Sequence, residues 1–319
     1  MPQAAGGRLQ RVADLGLGPL KKGLASGAVA LQTGPLLIRV RSRLPSLAPY
    51  LLQAYAEHPV TLNAEFADFD VEVKAPANLR RWLRPQAVFA VDGMEPFEPL
   101  PREQAPAFFE WGLNWTIAAS CHQWLMLHAA CLERDGHALL LPAPSGSGKS
   151  TLCAALVMRG WRLLSDEMCL IDPDTLQLSA LARPINLKNA SIDVIRRFAP
   201  DARWGPATYD TAKGLVTHLC PPLESVRDMH RTALATWIVF PQWAEGKDAK
   251  LTPRSPRQTF IEVASNAFNY SNLGALGFST MARLVRACST FDFHYSRLEE
   301  AVEVFDWLSE QLPGSVRTP

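Results

Sequence analysis

The chain has no long apolar run, and this absence argues against a membrane protein. No stretch of its 319 residues approaches the roughly 20 apolar residues that a spanning helix needs. The amino terminus, Met1 to Lys22, also lacks the apolar core of a secretion signal. We therefore expect a soluble, cytoplasmic protein with no membrane partner.

The chain also has a small net charge and no closely spaced pair of cysteines. Lys and Arg total 32 against 31 Asp and Glu, a formal net charge of +1, so no strong field favours nucleic acid as a partner. None of the six cysteines belongs to a C-x-x-C pair. We expect buried thiols in a reducing compartment, rather than a disulfide framework or a zinc site.

The sequence does contain enough apolar residues, 48% of the total, for a substantial core. A proline-rich stretch from Pro96 to Pro106 predicts a linker. The chain is therefore expected to divide into a poorly ordered amino terminus over 1–24, a small α+β domain over 25–105 and a larger α/β domain over 106–319.

Hydrophobic spacing is consistent with mixed α and β structure in these segments. Residues 27–43 have the pattern of a hairpin, 45–58 that of a helix, and 69–73 and 87–91 those of strands. Residues 108–123 predict an aromatic-rich helix. Its aromatic side chains either pack in a core or form a platform for an aromatic ligand.

The most informative segment runs from Ala143 to Thr151. An Asp135-Gly136 turn between two apolar runs predicts a hairpin whose second strand enters this segment, and the residues after it predict a helix. A strand, a glycine-rich loop and a helix in this order are typical of a phosphate-binding loop. Ala143 stands where G-x-x-x-x-G-K-[ST] has its first glycine, a position that mainly shapes the turn.

The residue types in this loop suit a nucleoside triphosphate. Gly146 and Gly148 tolerate positive φ, so backbone N–H groups can turn toward phosphate oxygens, and the following helix adds its positive end. Lys149 can reach the β- and γ-phosphates, and Ser150 can ligate Mg²⁺. The predicted nucleotide-binding residues are Ser145, Gly146, Ser147, Gly148, Lys149, Ser150 and Thr151.

Two carboxylates, Asp166 and Glu167, follow Lys149 by 17 and 18 residues, after a short predicted strand over 162–165. Successive side chains on a strand point to opposite faces, so one carboxylate can address a phosphate acceptor and the other a metal ion. An ordinary P-loop NTPase usually takes its metal-binding carboxylate from further along the chain. The compact spacing favours phosphoryl transfer; the alternative is an acidic start to another element.

Three further residues are candidates for the same site. His128, on the preceding hairpin, can border the phosphates or the acceptor, although a lone histidine is more often a satisfied core residue. Arg183 and Lys188 lie beside a proline-shaped loop and suit an anion such as transferred phosphate. The alternative for these two is a solvated surface loop.

These residues resemble the HPr kinase/phosphorylase catalytic domain, and more closely the HPr kinase-related kinases of the A type. Members carry a histidine on a hairpin, a G-x-S-G-x-G-K-[ST] loop, a short helix ending in R-G and a strand ending in a carboxylate pair. The similarity is strong over 125–172, weaker toward the carboxy terminus and without a shared motif in the first 100 residues. The matching residues are His128, Ser145 to Ser150, Arg159-Gly160 and Asp166-Glu167.

The resemblance implies a P-loop kinase domain akin to phosphoenolpyruvate carboxykinase, using ATP and Mg²⁺. It makes Asp166 the general base for a serine-type hydroxyl, Glu167 a metal-binding or supporting residue and His128 an active-site residue. The implied catalytic set is Asp166, Glu167, His128 and Lys149. The implied metal-binding set is Ser150, Glu167 and Asp166.

The chain departs from the family at three points. Thr151 and Glu167 stand where the bifunctional enzymes have an acidic residue and an aspartate. Residues 182–189 occupy the place of a segment rich in Glu, Arg and Gly that is tied to the phosphorylase reaction. Neither phosphorylase activity nor HPr as the target is therefore expected.

The sequence thus predicts an ATP-dependent kinase that phosphorylates a serine-type hydroxyl on a protein or small peptide, with the small α+β domain helping to dock the substrate. One alternative is a small-molecule kinase acting on an amino acid or a sugar. Another is a nucleotide-binding regulatory module without transfer activity. A homo-oligomer is compatible with each.

Overall fold

The computed structural model describes residues 10–79, 83–144 and 146–311 of this mixed α/β protein, which forms two compact units. The first unit runs to Leu113 and includes Trp204–Cys220; the second contains Asn114–Arg203 and the residues from Pro221 onward. The first unit thus extends past the predicted linker and includes a segment that the sequence analysis assigns to the larger domain.

The first unit is built on a seven-stranded sheet. Its strands are β1 (Gln10–Arg11), β2 (Val29–Thr33), β3 (Leu36–Ser42), β4 (Pro59–Leu62), β5 (Phe69–Lys74), β6 (Gln86–Val91) and β7 (Leu100–Pro101), in the order β1-β4-β2-β3-β5-β6-β7. β3 and β5 are parallel, and the other neighbouring pairs are antiparallel. The predicted hairpin over 27–43 is present as β2 and β3.

The α-helices among the described residues of this unit include α1 (Val12–Leu15), α2 (Leu17–Ser26), α3 (Leu47–Ala54) and the first part of α4 (Ala105–Ser120). Of the segment 1–24, for which poor order is expected, residues 10–24 contain β1, α1 and most of α2; residues 1–9 lie outside the described range. Pro19 falls in the first turn of α2, where a missing N–H is tolerated, and Gly27 ends the helix with φ 78°. Leu20 and Leu24, one turn apart, are buried, so α2 packs on β3 and α3.

Side-chain contacts explain why residues 204–220 belong to the first unit. They contain the antiparallel pair β14 (Thr208–Thr211) and β15 (Gly214–Leu219). Gln104 donates its side-chain N–H to the Asp210 carbonyl at 2.7 Å. Cys220 donates its thiol to the Gln53 carbonyl at 3.4 Å. Because these contacts join residues more than 100 positions apart, local sequence patterns carry no sign of them.

The second unit contains an eight-stranded sheet. Its strands are β8 (Leu125–Arg134), β9 (His137–Pro142), β10 (Arg162–Ser165), β11 (Met168–Ile171), β12 (Gln177–Ser179), β16 (Ala233–Trp243), β17 (Lys250–Pro253) and β18 (Ser289–Tyr295). β8 is antiparallel to β9, β10 and β11, whereas β9, β16 and β18 are parallel neighbours. The pairings β8–β11–β12–β16–β9–β8 form a closed circuit.

Helices and one further strand complete this unit, including the last residues of α4 from Asn114. The others are α5 (Lys149–Met158), α6 (Ala190–Phe198), α7 (Leu223–Arg227), α8 (Pro256–Ser265), α9 (Tyr270–Ala287) and α10 (Leu298–Glu310), with the strand β13 (Ile185–Lys188). Side chains from β8, β9 and β16 share one buried cluster with residues of α8 and α9. α5 packs against α10 and α6. α5 also packs on β8, so the sheet and these two helices together position Lys149, the first residue of α5.

Across the described residues, no helix is both long and apolar enough to cross a membrane. The six cysteines are free thiols, of which Cys288 is half-buried and the others are buried.

Candidate functional site

The predicted phosphate-binding loop lies at the carboxyl ends of three parallel strands. β9 ends at Pro142 and leads into the loop, which in turn leads into α5. Trp243, the last residue of β16, donates its backbone N–H to the Ser147 carbonyl at 2.9 Å. Tyr295, the last residue of β18, donates its hydroxyl to the Gly148 carbonyl at 3.1 Å. In α/β folds with parallel strands, open or closed, ligands bind at this end of the strands.

The loop backbone adopts conformations that favour glycine at two positions. Gly146 has φ 92° and Gly148 has φ 90°, and Gly148 is the residue immediately before α5. Ser150 and Thr151 follow in the first turn of α5 and are half-buried. Ser145, the remaining predicted loop residue, lies outside the described residues.

Two polar atoms of the loop fit a phosphate ligand. Lys149 is 8% exposed, and within the described part of the chain its Nζ has no hydrogen-bond partner; the same holds for the Ser147 Oγ. Burial lowers the pKa of Lys149, while the negative charges of Glu167 and Asp166 act in the opposite direction. A buried ammonium without a hydrogen-bonded partner is costly, and phosphate oxygens are acceptors of the required charge.

Asp166 and Glu167 follow β10, the strand expected over 162–165, and lie between β10 and β11. β10 and β11 both run antiparallel to β8, with Ser165 opposite Cys131 and Met168 opposite His128. The two carboxylates fall between these two pairs, which share one register against β8. The register shift typical of a bulge comes just before them, between Leu163 and Ser165, and bulges, which re-aim side chains, are over-represented beside active sites.

The Asp166 carboxyl is buried but not isolated. It is 8% exposed, and its Oδ2 accepts the backbone N–H of Asn186 at 2.8 Å. Burial raises the pKa of Asp166 to about 7, and Glu167 adds to this effect, while the Asn186 N–H, Arg183 and Lys149 oppose it. A carboxyl with a pKa near neutrality suits a general base.

Glu167 and Arg183 are joined by a residue that the sequence analysis does not identify, Asn114. The Asn114 side-chain amide donates to Glu167 Oε2 at 2.8 Å, and its carbonyl oxygen accepts a hydrogen bond from the Arg183 guanidinium. Asn114 is 53 residues from Glu167 and 69 from Arg183. No local pattern links residues so far apart, so an asparagine in an aromatic helix gives no signal.

The remaining candidates lie around this cluster. His128 is half-buried on β8, its backbone N–H donates to the Asn266 carbonyl at 2.7 Å, and its ring is 5.7 Å from that of Phe268. Lys188, at the end of β13, is half-buried two residues after Asn186. The structure thus brings together Lys149, Asp166, Glu167 and Arg183, with His128 on the strand beside the carboxylates.

The candidate metal donors at this site are oxygen atoms, which are ligands of the type that Mg²⁺ prefers. Among the residues that the structure describes, no three His, Cys, Asp or Glu side chains gather as a metal site. Mg²⁺ is usually held by one or two carboxylates together with water and substrate phosphates. Ser150, Asp166 and Glu167 offer a hydroxyl and two carboxylates of that chemistry.

Three comparisons with known proteins bear on this site. A family model described as "SynChlorMet cassette protein ScmC" matches residues 114–184, which are less than half of the chain. The matched segment includes Asn114, Lys149, Asp166 and Arg183. No curated protein matches the chain.

Among solved structures, the chain is similar to the Hpr(Ser) kinase/phosphatase from Coxiella burnetii, with 12% sequence identity, over 58% of this chain and 99% of that chain. The TM-score is 0.25, and at this value the likeness carries no argument about fold or function. The chain is therefore similar to these proteins without being shown to belong to either family.

Proposed function

We propose that this chain is an ATP- and Mg²⁺-dependent kinase that phosphorylates a serine-type hydroxyl on a protein or peptide. The observation that carries the proposal is the environment of Lys149. Its ammonium is buried beside a glycine loop, has no hydrogen-bond partner among the described residues and interacts electrostatically with Glu167 and Asp166. A triphosphate would satisfy the ammonium, and the carboxylates would then lie close to the phosphoryl group that is transferred.

Each residue of the cluster has a role in this reaction. The loop N–H groups and Lys149 bind the β- and γ-phosphates. Asp166 accepts the proton of the acceptor hydroxyl as its oxygen bonds to the γ-phosphorus and the bond from that phosphorus to the ADP oxygen breaks. The products are a phosphoester, ADP and a proton held by Asp166 until it passes to water. Mg²⁺ at Ser150 and Glu167 would neutralise charge on the phosphate oxygens.

The pKa of Asp166 supports its role as the base. A value of about 7 means that a large share of the carboxyl is ionised at neutral pH and that the proton it accepts is held with useful affinity. Arg183, 7% exposed and bonded to Asn114, supplies a fixed positive charge to the same cluster. Positive charge near the transferred group stabilises the transition state.

The proposal is tested by incubating the protein with γ-labelled ATP, Mg²⁺ and a lysate of its own host, and then identifying the labelled species. We expect label on a serine-type hydroxyl of a polypeptide. Asp166→Asn should lower the transfer rate about 10²- to 10⁴-fold while ATP still binds; the exposed Asp248→Asn is the matched control.

The other outcomes distinguish the alternatives. Label on an amino acid or a sugar would assign a small-molecule kinase. ATP binding without any labelled product would assign a regulatory module. Equal transfer by Asp166→Asn and the wild type would remove Asp166 from the role of base.

A further inference from the structure

The first unit carries a charged trough that the proposed chemistry does not use. It lies on the face of the sheet where β3 and β5 run side by side. Two cavities of about 820 Å³ and about 640 Å³ share Arg41, Glu72 and Lys74, so they form one continuous depression. Volumes of this size are typical of ligand sites.

Strand alternation explains the composition of the trough. On β3, Ile38 and Val40 are buried while Arg39 and Arg41 point to the opposite face. Cross-strand neighbours keep the floor small: Ala30 pairs with Arg39, and Ala90 pairs with Glu72. Long charged side chains therefore stand around a floor that contains alanine.

Some of these charges already have partners. Arg39 bonds to Asp70 at 2.6 Å, and Lys74 lies 3.4 Å from Glu72 and 3.0 Å from Glu95. The side chains of Asp70 and Glu95 are 57% and 51% exposed. Exposed pairs of this kind contribute little to stability. Arg39 also donates to the Ala64 carbonyl at 2.9 Å.

Two other cations of the trough, Arg41 and Arg43, make no such pair, although Glu72 lies opposite Arg41 on β5 and Asp92 also lines the trough. Within the described ranges, neither side chain makes an ion pair or a hydrogen bond. Arg41 lies against the backbone of Gly27, where an added Cβ would be 2.8 Å from its Nε. The guanidinium is therefore positioned by packing and keeps its donors available.

We infer that this trough docks an extended acidic segment of a polypeptide. Arg39, Arg41 and Arg43 recur at every second position along β3 and the residue after it, and the side chains of an extended peptide repeat with the same period. Carboxylates at alternate positions of the bound segment match this row, and Arg–carboxylate pairing can be bidentate. The inference rests on the proposed function only in identifying this polypeptide as the kinase's acceptor.

The test uses the full chain and a fluorescent peptide of about ten residues with glutamate at alternate positions. Fluorescence anisotropy is measured without nucleotide. Arg41→Gln with Arg43→Gln should weaken binding at least about tenfold. The matched control, Arg227→Gln with Arg231→Gln, removes the same charge elsewhere, from arginines already paired with Asp228, and should leave binding within about twofold.

Several results would overturn the inference. The first is that the wild-type chain does not bind the peptide. The second is that the two double variants weaken peptide binding equally. The third is that inorganic phosphate or a single-stranded oligonucleotide competes with the fluorescent peptide as well as the unlabelled peptide does. Circular dichroism checks that each variant is folded. Lys149→Met should lose nucleotide binding and keep peptide binding; if nucleotide binding is absent from the wild type while the peptide still binds, the proposed function fails and the docking site stands.

Discussion

Replacing Gly148 by alanine should destabilise the second unit more than the same change at Gly146, although both residues have φ near 90°. A residue with a Cβ costs about 1–2 kcal/mol in a left-handed conformation, and this penalty is common to the two positions. At Gly146, an added Cβ meets nothing within 4 Å. The change there should therefore cost about 1–2 kcal/mol and little more.

At Gly148 the added Cβ would lie 2.5 Å from the Tyr295 hydroxyl and 3.0 Å from the Trp243 Cβ. The hydroxyl must move, and it then loses its hydrogen bond to the Gly148 carbonyl, a contact worth about 0.5–1.5 kcal/mol. The Trp243 Cβ belongs to a strand and cannot move as easily. We expect a total cost of about 2–4 kcal/mol.

Urea unfolding measures the difference in cost between Gly146→Ala and Gly148→Ala. The variants Gly148→Ala, Tyr295→Phe and Gly148→Ala/Tyr295→Phe then form a double-mutant cycle. Removing the hydroxyl should relieve part of the Gly148→Ala penalty, so the double variant should be more stable than the sum of the single effects. Equal costs at Gly146 and Gly148, or strictly additive effects with Tyr295→Phe, would refute the role given to this contact.

Two further predictions concern the carboxylates. Asn114→Ala removes the bridge between Glu167 and Arg183, so we expect phosphoryl transfer about 10- to 100-fold slower with ATP affinity within about threefold of wild type; rate and affinity changing together would indicate a merely structural role. In the absence of ligand, the free energy of unfolding should fall with rising pH, because the pKa of Asp166 in the folded protein, about 7, exceeds the ordinary value of 3.8. The stabilising contribution of the protonated Asp166 is fully present below about pH 3.8 and is lost as the pH rises through about 7. Asp166→Asn should therefore gain about 4 kcal/mol over wild type between about pH 4 and pH 8, and a constant difference in urea unfolding would contradict the burial of this charge.

The parts of the molecule that could be predicted from the sequence are those fixed by neighbours in the chain. The β8–β9 hairpin follows from the Asp135-Gly136 turn, with φ of 53° and 84° at its two residues. The strand, loop and helix around Lys149 follow from apolar runs that end at glycines. Each of these features involves a few consecutive residues, so periodicity and turn chemistry are sufficient.

Features that depend on distant pairing could not be predicted in this way. The segment 265–270 illustrates the point, because its polarity fits either the lining of a substrate cleft or an ordinary structural segment. In the structure, residues 266–269 lie along the first half of β8, where Phe268 N–H donates to the Met126 carbonyl at 2.9 Å and Asn269 Oδ1 accepts the Met126 N–H at 2.9 Å. β9 pairs with β8 only from Ala129 onward, so the first half of β8 has an edge without β9. This segment pairs with that edge, with Asn269 143 positions from Met126, and no local pattern predicts the pairing.

The candidate site likewise combines parts that depend on neighbours in the chain with parts that depend on distant pairing. Its loop is formed by consecutive residues, whereas the break between β10 and β11 at Asp166 and the Asn114 bridge exist because β10 and β11 both pair with β8 and because α4 reaches the cluster. The sequence places two carboxylates near Lys149 by spacing alone. The structure adds Arg183 and the Asn186 N–H, which act on the pKa of Asp166.

The most direct test of whether Lys149 binds a triphosphate is calorimetric titration with Mg²⁺-ATP. The titration compares the wild type, Lys149→Met and the exposed control Lys250→Met. Removing a buried cation without a hydrogen-bond partner also removes its desolvation cost, so Lys149→Met should fold. We predict that ATP affinity falls at least about tenfold in Lys149→Met and stays unchanged in Lys250→Met. Equal ATP affinity in Lys149→Met and wild type, or no ATP binding by the wild type, would contradict a triphosphate site at this loop.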